Sequence, residues 1–115
     1  MEIHISFQHV EMTDAIRAYV EEKVGRLEHI SGRVVGAHVA LLHDHARSPQ
    51  KAYIAKVHLA FPGPDIHAED AERDLYAAID RVTDKLAQRL RHRKTRLKDN
   101  RIREARKVKF RRTDE

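Results

Sequence analysis

The sequence contains no cysteine and no tryptophan, and it has only three prolines and four glycines among 115 residues. Without thiols, neither disulfide bonds nor thiolate zinc sites can form. No apolar stretch approaches the length of about 20 residues that a membrane-spanning helix needs. The first residues show no basic leader followed by an apolar segment, so we expect no secretion signal. These absences predict a soluble, cytoplasmic protein.

The composition is rich in charge, and the charge is unevenly distributed. Charged residues make up 36% of the chain and hydrophobic residues 41%, so we expect a modest core beneath an ionic surface. Residues 1–70 hold seven Lys/Arg against ten Asp/Glu, whereas residues 71–115 hold sixteen against eight. From Lys85 to Arg112 the ratio is fourteen to two. Such asymmetry indicates a polyanionic partner, either a nucleic acid or an anionic membrane surface.

Hydrophobic periodicity predicts the first two elements. Apolar and polar residues alternate over residues 3–8, which is typical of a half-buried strand. Thr13 is a suitable N-cap, and apolar residues then recur at helical spacing. We therefore predict an amphipathic helix over residues 14–29, ended by Gly32.

The rest of the chain predicts three strands and a long helix. Two alternating segments, residues 35–41 and 53–61, indicate strands that a polar loop joins as a hairpin. A turn at residues 62–65 leads into a short strand over residues 66–68. Apolar residues then repeat every three or four positions from about 71 to about 97, which predicts the long helix.

The predicted order β-α-β-β-β-α gives a four-stranded sheet whose apolar face two amphipathic helices can cover. We therefore predict an α+β fold of two layers, with both helices packed on one face of the sheet. The first β-α-β connection favours a parallel pair of strands. Beyond Lys98 the apolar spacing is lost in a basic segment, so we predict a domain over residues 1–98 and a basic flexible tail over residues 99–115.

The long helix carries a row of basic residues beside its apolar stripe when residues are placed at about 100° each. The row steps mostly by three or four residues, so its cations lie about 5–6 Å apart, which suits consecutive phosphates. An ordinary solvated helix face is the alternative, but few acids are present to balance the row. Asp80 and Asp84 are predicted on the far side. The row consists of Arg81, Lys85, Arg89, His92 and Arg96, widened near the end of the helix by Arg91, Arg93, Lys94 and Lys98.

Other kinds of site have weaker support. Among nine histidines we find no HExxH-like pair and no converging ligand set, so we expect no metal. The absence of a nucleophile elbow and of a glycine-rich phosphate loop predicts no enzyme, no catalytic residue, no cofactor and no small-molecule substrate. The histidines predicted on the sheet face opposite the core are His4, His38, His58 and His67. The aromatic residues assigned to core faces are Phe7, Tyr19, Tyr53 and Phe61, which predicts recognition of charge and shape more than base stacking.

Three segments of the second helix resemble the ribosome hibernation-promoting factor family, also called the ribosome-associated inhibitor or sigma 54 modulation protein family. They are Asp74-Leu75-Tyr76-Ala77-Ala78-Ile79-Asp80, Asp84-Lys85-Leu86-Ala87 and Lys94-Thr95-Arg96-Leu97-Lys98. Near the N-terminus, Ile3-His4-Ile5-Ser6 and Glu11-Met12-Thr13-Asp14-Ala15-Ile16-Arg17 agree with the family as well. The resemblance covers residues 1 to about 98.

The resemblance implies a fold similar to the double-stranded-RNA-binding domain, together with a function. Family members bind the small ribosomal subunit between head and body, over the tRNA and mRNA sites, through contacts with 16S rRNA. They inhibit translation and preserve idle ribosomes under stress or in stationary phase. Gln88 and Arg89 stand in the reverse of the common Arg-Gln order, which leaves open which of them contacts RNA. Carried onto this chain, the rRNA-binding residues are Lys23 and Arg26 of the first helix and Lys85, Arg89, Lys94, Arg96 and Lys98 of the second.

Two other functions stay open as hypotheses: a general structured-RNA-binding protein, and a modulator of a transcription sigma factor. The leading hypothesis expects the small ribosomal subunit and 16S rRNA as partners, and no membrane. Long family members carry a second domain that dimerises ribosomes. The sequence leaves open whether the chain is a natural short form or the N-terminal part of a long form, and whether it has a ribosome-dimerisation partner.

Overall fold

The computed structural model describes residues 1–93, and residues 94–115 lie outside the described part. The four strands are β1 (Glu2–Gln8), β2 (Gly36–His43), β3 (Tyr53–Ala60) and β4 (Ile66–Glu72). Helix α1 spans Asp14–Gly25, and short 3-10 helices occupy Arg26–His29 and Pro49–Lys51. A second helix, α2, occupies residues 75–93 of the described part. Within residues 1–93, no helix is both long and apolar enough to cross a membrane.

The strands form one mixed sheet in the order β1-β2-β3-β4, so β1 and β4 are its edges. β1 and β2 pair in parallel, as the first β-α-β connection predicts, and the other neighbours are antiparallel. One face of the sheet packs against both helices around a single core, which confirms the predicted α+β architecture. Its fully buried side chains include Val20 and Val24 of α1, Val39 and Leu59 of the sheet, and Ile79 and Leu86 of α2.

Helix α1 begins where the sequence predicts. The Thr13 hydroxyl accepts a hydrogen bond from the backbone N–H of Ile16 at 3.1 Å, which satisfies one donor of the first turn. The predicted helix over residues 14–29 is α-helical only to Gly25, and its last four residues form a tighter 3-10 turn. Such a turn is a common way to pair the last carbonyls of a helix.

The boundary between β4 and α2 differs from the expectation. The fourth strand is longer than predicted, because pairing with β3 extends to Glu72, and the helix starts at residue 75 instead of 71. Asp74 marks the start, because its carboxylate accepts a hydrogen bond from the backbone N–H of Ala77 at 2.8 Å. The cross-strand ladder therefore overrides the helical spacing of residues 71–74. The predicted end of this helix near Leu97 lies outside the described residues.

Two apolar side chains are far more exposed than their sequence pattern predicts. Phe7 is 53% exposed and lies near the end of the edge strand β1. Val35 is 61% exposed and precedes β2 instead of belonging to it. Its backbone N–H donates to the carbonyl of Ala60 at 2.8 Å, so its backbone, not its side chain, is tied to the sheet.

Candidate nucleic-acid interface

Four cations of α2, spaced four residues apart, lean onto the free edge of β4 and the turn before it. We call them the basic ridge; its members are Arg81, Lys85, Arg89 and Arg93. An edge strand exposes backbone groups that no neighbouring strand pairs. Long basic side chains that reach these groups cover the edge while they keep their charged ends near water. Three members of the predicted row, Arg81, Lys85 and Arg89, lie in the ridge and contact the sheet. Arg93 is the fourth member in place of the predicted His92, and Arg96 lies outside the described residues.

The first half of the ridge is paired with acids of β4. The Lys85 ammonium lies 2.9 Å from a carboxylate oxygen of Asp70 and donates to the carbonyl of Glu69 at 3.0 Å. The Arg81 guanidinium lies 3.6 Å from a carboxylate oxygen of Glu72. Burial opposes ionisation of Asp70, yet the hydrogen bond and the charge of Lys85 hold the pKa of Asp70 below its ordinary value. These two cations are therefore largely neutralised.

The second half of the ridge contacts carbonyls instead of acids. Arg89 donates to the carbonyl of His67, and Arg93 donates to that of Pro64 at 2.7 Å. The Arg93 guanidinium also lies 4.4 Å from the centre of the Phe61 ring, at cation–π distance. Backbone carbonyls carry no net charge, so neither contact cancels a positive charge.

Asp65 lines the same cleft as Arg89 and Arg93, but its carboxylate is hydrogen-bonded to other residues. It accepts a hydrogen bond from the Phe61 backbone N–H at 3.0 Å and lies 2.7 Å from the His58 imidazole. The hydrogen bond from the Phe61 N–H lowers the pKa of Asp65 most. The hydrogen bond with His58 and, to a smaller extent, the charge of Arg93 lower it further. In the part of the chain that the structure describes, Arg89 forms no ion pair with an acid, so no paired carboxylate offsets its charge.

An open cleft of about 740 Å³ lies between α2 and the turn that leads into β4. Gln88 and Arg89 both line it, so both can reach a ligand, and their reversed order does not remove either from the site. His92 lies beside them and is exposed. Gln88 and His92 thus line the same cleft as members of the ridge, and both side chains can donate hydrogen bonds to phosphate.

The two basic residues predicted on the first helix do not join the ridge. The Lys23 ammonium lies 3.5 Å from a carboxylate oxygen of Asp80, and Arg26, in the 3-10 turn that follows α1, lies 2.7 Å from Glu22 of α1. Asp80 and Lys85 are about 140° apart around α2, so Lys23 contacts the opposite flank of that helix. Lys23 and Arg26 are therefore separate from the basic ridge, and each is paired with an acid.

Asp80 does not lie on a solvated far side, as the sequence suggests, because α1 packs along that flank. The Tyr19 hydroxyl donates a hydrogen bond to the Asp80 carboxylate. This bond, together with burial and the negative charge of Asp80, raises the pKa of Tyr19 to about 12. Asp84, one turn further on, is exposed as predicted.

Three predicted RNA-binding residues, Lys94, Arg96 and Lys98, lie outside the described residues, as does the predicted tail. Sequence reasoning missed the acids of β4 that anchor the ridge, Asp70 and Glu72. Their alternation with apolar residues in a strand beside a basic helix was the available signal. Within residues 1–93, no three His, Asp or Glu side chains converge on a possible metal site.

Comparison with known proteins connects this surface to a family. Residues 3–98 match the family described as sigma 54 modulation protein / S30EA ribosomal protein. The ribosome hibernation promotion factor of Deinococcus radiodurans is 39% identical over 92 residues, which cover 80% of this chain and 48% of that protein. The ribosome hibernation promoting factor of Salmonella typhimurium is 34% identical over 100 residues, 87% of this chain and 100% of that protein. The chain thus spans about half the length of the first relative and all of the second.

Solved structures agree with the fold. The N-terminal domain of Protein Y from Thermus thermophilus superposes with a TM-score of 0.70 at 33% identity, covering 80% of this chain and 98% of that one. A ribosomal subunit interface protein from Coxiella burnetii superposes with a TM-score of 0.71 at 24% identity, covering 83% and 99%, and supports the fold alone. With a match over residues 3–98 and these relatives, the chain belongs to the sigma 54 modulation protein / S30EA ribosomal protein family.

Proposed function

We propose that the chain is a ribosome hibernation factor. It binds the small ribosomal subunit over the tRNA and mRNA sites through 16S rRNA, inhibits translation, and preserves idle ribosomes under stress or in stationary phase. The observation that carries this proposal is the Arg89 end of the basic ridge, where positive charge borders an open cleft and no acid of the described chain is paired with it. The names of the relatives, ribosome hibernation promotion or promoting factor, support the ribosome as the partner.

The chemistry of Arg89 suits rRNA. A guanidinium has five N–H donors in a planar fork, and the His67 carbonyl engages only part of them. The remaining donors can bind a phosphate in a bidentate manner, which is stronger and more directional than a contact with a point charge. Arg81 and Lys85 support this contact by fixing α2 against β4. The described residues proposed to contact rRNA are Arg89, His92 and Arg93, Lys23 and Arg26, and Arg81 and Lys85 where phosphate displaces their acids. The proposal also includes Lys94, Arg96 and Lys98, which lie outside the described residues.

Inhibition by this mechanism is steric. A protein that occupies the path of mRNA and tRNA stops translation without making or breaking a covalent bond. The proposal therefore needs no catalytic residue, no cofactor and no small-molecule substrate, and it locates the protein in the cytoplasm with the ribosomes.

The experiment is co-sedimentation with vacant ribosomes and with purified small subunits, using wild type, Arg89→Glu and a matched control. Arg33→Glu is that control, because it makes the same change in net charge at an exposed position before β2, outside the ridge. We expect Arg89→Glu to weaken binding about 10- to 100-fold, the range that corresponds to one lost charge-assisted hydrogen bond. The control should bind like wild type. Wild-type protein that stays at the top of the gradient would refute the proposal.

The same fractions separate the other two hypotheses. A general structured-RNA-binding protein would bind any RNA duplex as tightly as it binds the small subunit. A sigma factor modulator would purify with RNA polymerase and not with ribosomes. Translation assayed in vitro should fall as the protein occupies a larger fraction of the small subunits.

A further inference from the structure

The open face of the sheet carries one histidine from every strand in a single row, which we name the histidine row. The strand register places His38 opposite both His4 and His58, and it places His67 opposite His58. The rings of His4 and His38 are stacked with centroids 5.1 Å apart, and those of His58 and His67 with centroids 5.8 Å apart. Because neighbouring strands lie about 4.8 Å apart, the row spans roughly 14 Å.

The rings of the row are accessible. The side chain of His4 is 60% exposed and that of His58 is 46% exposed, and the other two members are exposed as well. RNA-binding sheets use planar side chains on an exposed face to stack two or three bases. Phenylalanine and tyrosine are missing from this face, and the imidazoles are stacked on one another in pairs, so they offer N–H donors more than open ring faces.

The row is continuous with the basic ridge. A cleft of about 570 Å³ on the open face is lined by His38, His58 and His67, together with Lys56 and Arg89. Arg89 also lines the cleft between α2 and the β3–β4 turn. One guanidinium therefore borders both surfaces, so an RNA strand held along the ridge can continue onto the sheet.

The charged groups around the row nearly cancel one another. Glu2 of β1 lies 3.9 Å from His4, and Asp65 of the turn lies 2.7 Å from His58. Glu69 of β4 lies 3.9 Å from Lys56 of β3, so these two charges offset each other, and Arg89 adds one positive charge from α2. The neighbouring row on this face is also free of large apolar side chains; it consists of Ser6, Ala40, Lys56 and Glu69. An apolar protein surface would find little to bury here.

We infer that the histidine row is a second RNA-contacting surface, which continues the basic ridge across the sheet and binds single-stranded RNA. The imidazole N–H groups donate hydrogen bonds to phosphates and to base edges, and Arg89 contacts the phosphate where the row meets the ridge. The inference rests on the proposed function in that it takes RNA as the partner.

This arrangement makes RNA binding depend on pH. Histidine is the side chain whose charge ordinarily changes between about pH 5 and pH 8. A phosphate beside the ring favours its charged form, so the complex holds more protons than the free protein. Binding is therefore coupled to proton uptake, and the affinity rises as the pH falls from 8 to 6.

The test compares wild type with two double variants that each remove two histidines. His38→Gln with His58→Gln removes the middle of the row, whereas His29→Gln with His45→Gln removes histidines elsewhere in the fold. Binding to purified small ribosomal subunits is measured at pH 6 and pH 8. Wild type and the control should bind about tenfold more tightly at pH 6, which corresponds to about one charge-assisted contact. The row variant should lose most of this gain.

A second measurement uses the wild-type protein alone, so it does not depend on how a variant folds. The imidazole NMR signals are followed during titration with a single-stranded oligoribonucleotide of about ten nucleotides, within the usual site size of such surfaces. Signals of the row should move and those of His29 and His45 should not. Equal pH dependence in all three proteins, or row signals that do not move, would overturn the inference. If the row signals move but wild type fails to bind subunits, the proposed function fails and the RNA-contacting row stands.

Discussion

Lys85 and Asp70 join helix α2 to the edge of the sheet: the ammonium lies 2.9 Å from the carboxylate, and the Asp70 side chain is only 9% exposed. The pair has a structural consequence that a surface charge row alone would not have. An uncovered edge strand can pair with a strand of another chain, and charged side chains laid across the edge prevent this. The basic ridge therefore divides into an anchoring half, Arg81 and Lys85, and a half that keeps its charge for a ligand, Arg89 and Arg93.

We predict that Lys85→Met lowers the free energy of unfolding at pH 7 by about 1–3 kcal/mol, because Asp70 keeps a poorly hydrated carboxylate without its donor. The folded-state pKa of Asp70 is lowered, so the contribution of the pair is present above the unfolded pKa near 3.9. It is lost as the pH falls through the lower folded-state pKa. Urea unfolding at pH 7 and at pH 3 measures the free energy of unfolding of wild type and variant. The difference between the two proteins should be smaller at pH 3.

A double-mutant cycle with Asp70→Asn provides the control for this prediction. The two changes together should cost less than the sum of the single changes, since each removes the same interaction. Additive losses, or a gap that is equal at both pH values, would show that the pair does not hold the helix.

This division of the ridge could not be predicted from the sequence, although the ridge itself could. Helical spacing places Arg81, Lys85 and Arg89 in a row whatever the helix packs against. Which groups they meet depends on β4, and residues 71–72 of β4 have a local spacing that also fits the start of a helix. Pairing with β3 decides whether residues 71–72 form strand or helix, and such long-range pairing has no local signature in the sequence.

The alignment of the histidine row could not be predicted from the sequence either. Alternation within each strand predicts that His38 and His58 share the open face. Their alignment into one row depends on the register between strands, which a turn or a crossover sets. A shift of two residues would change this alignment but would leave each histidine on the same face of the sheet. The fold class, by contrast, follows from the order of elements and from their apolar faces.

We predict that Asp80→Asn lowers the pH at which Tyr19 ionises, because it weakens the hydrogen bond and removes the charge that raise the pKa of Tyr19 to about 12. A raised folded-state pKa contributes stability that is fully present below the unfolded value of about 10 and is lost as the pH rises through the folded value. The variant should therefore have a lower free energy of unfolding than wild type at pH 8. This difference should disappear above about pH 12. Ultraviolet titration of tyrosine measures the ionisation, with Tyr19→Phe to assign the signal.

The two aspartates of α2 should respond differently to charge reversal. Asp80→Lys brings a cation towards Lys23 and removes the acceptor of the Tyr19 hydroxyl, so we expect a loss of about 1–3 kcal/mol. Asp84→Lys changes an exposed position, and its effect should stay within about 0.5 kcal/mol. Thermal unfolding of both variants measures this contrast. Equal destabilisation would mean that α1 does not pack along the Asp80 flank.

The last prediction concerns salt, because counterion release counts the phosphates that the protein contacts. With about five or six contacts, the logarithm of the affinity for small subunits should fall with the logarithm of salt concentration at a slope of about −4 to −5. Arg89→Gln removes one cation without adding an acid, so its slope should be less steep by about 1. Lys85→Gln should change the slope less, because Asp70 already neutralises Lys85 in the free protein and binding there releases fewer counterions. Titrations at four salt concentrations separate these cases. If Lys85→Gln flattens the slope as much as Arg89→Gln does, the anchoring half of the ridge contacts phosphate as fully as the other half, and rRNA displaces Asp70 from Lys85 on binding.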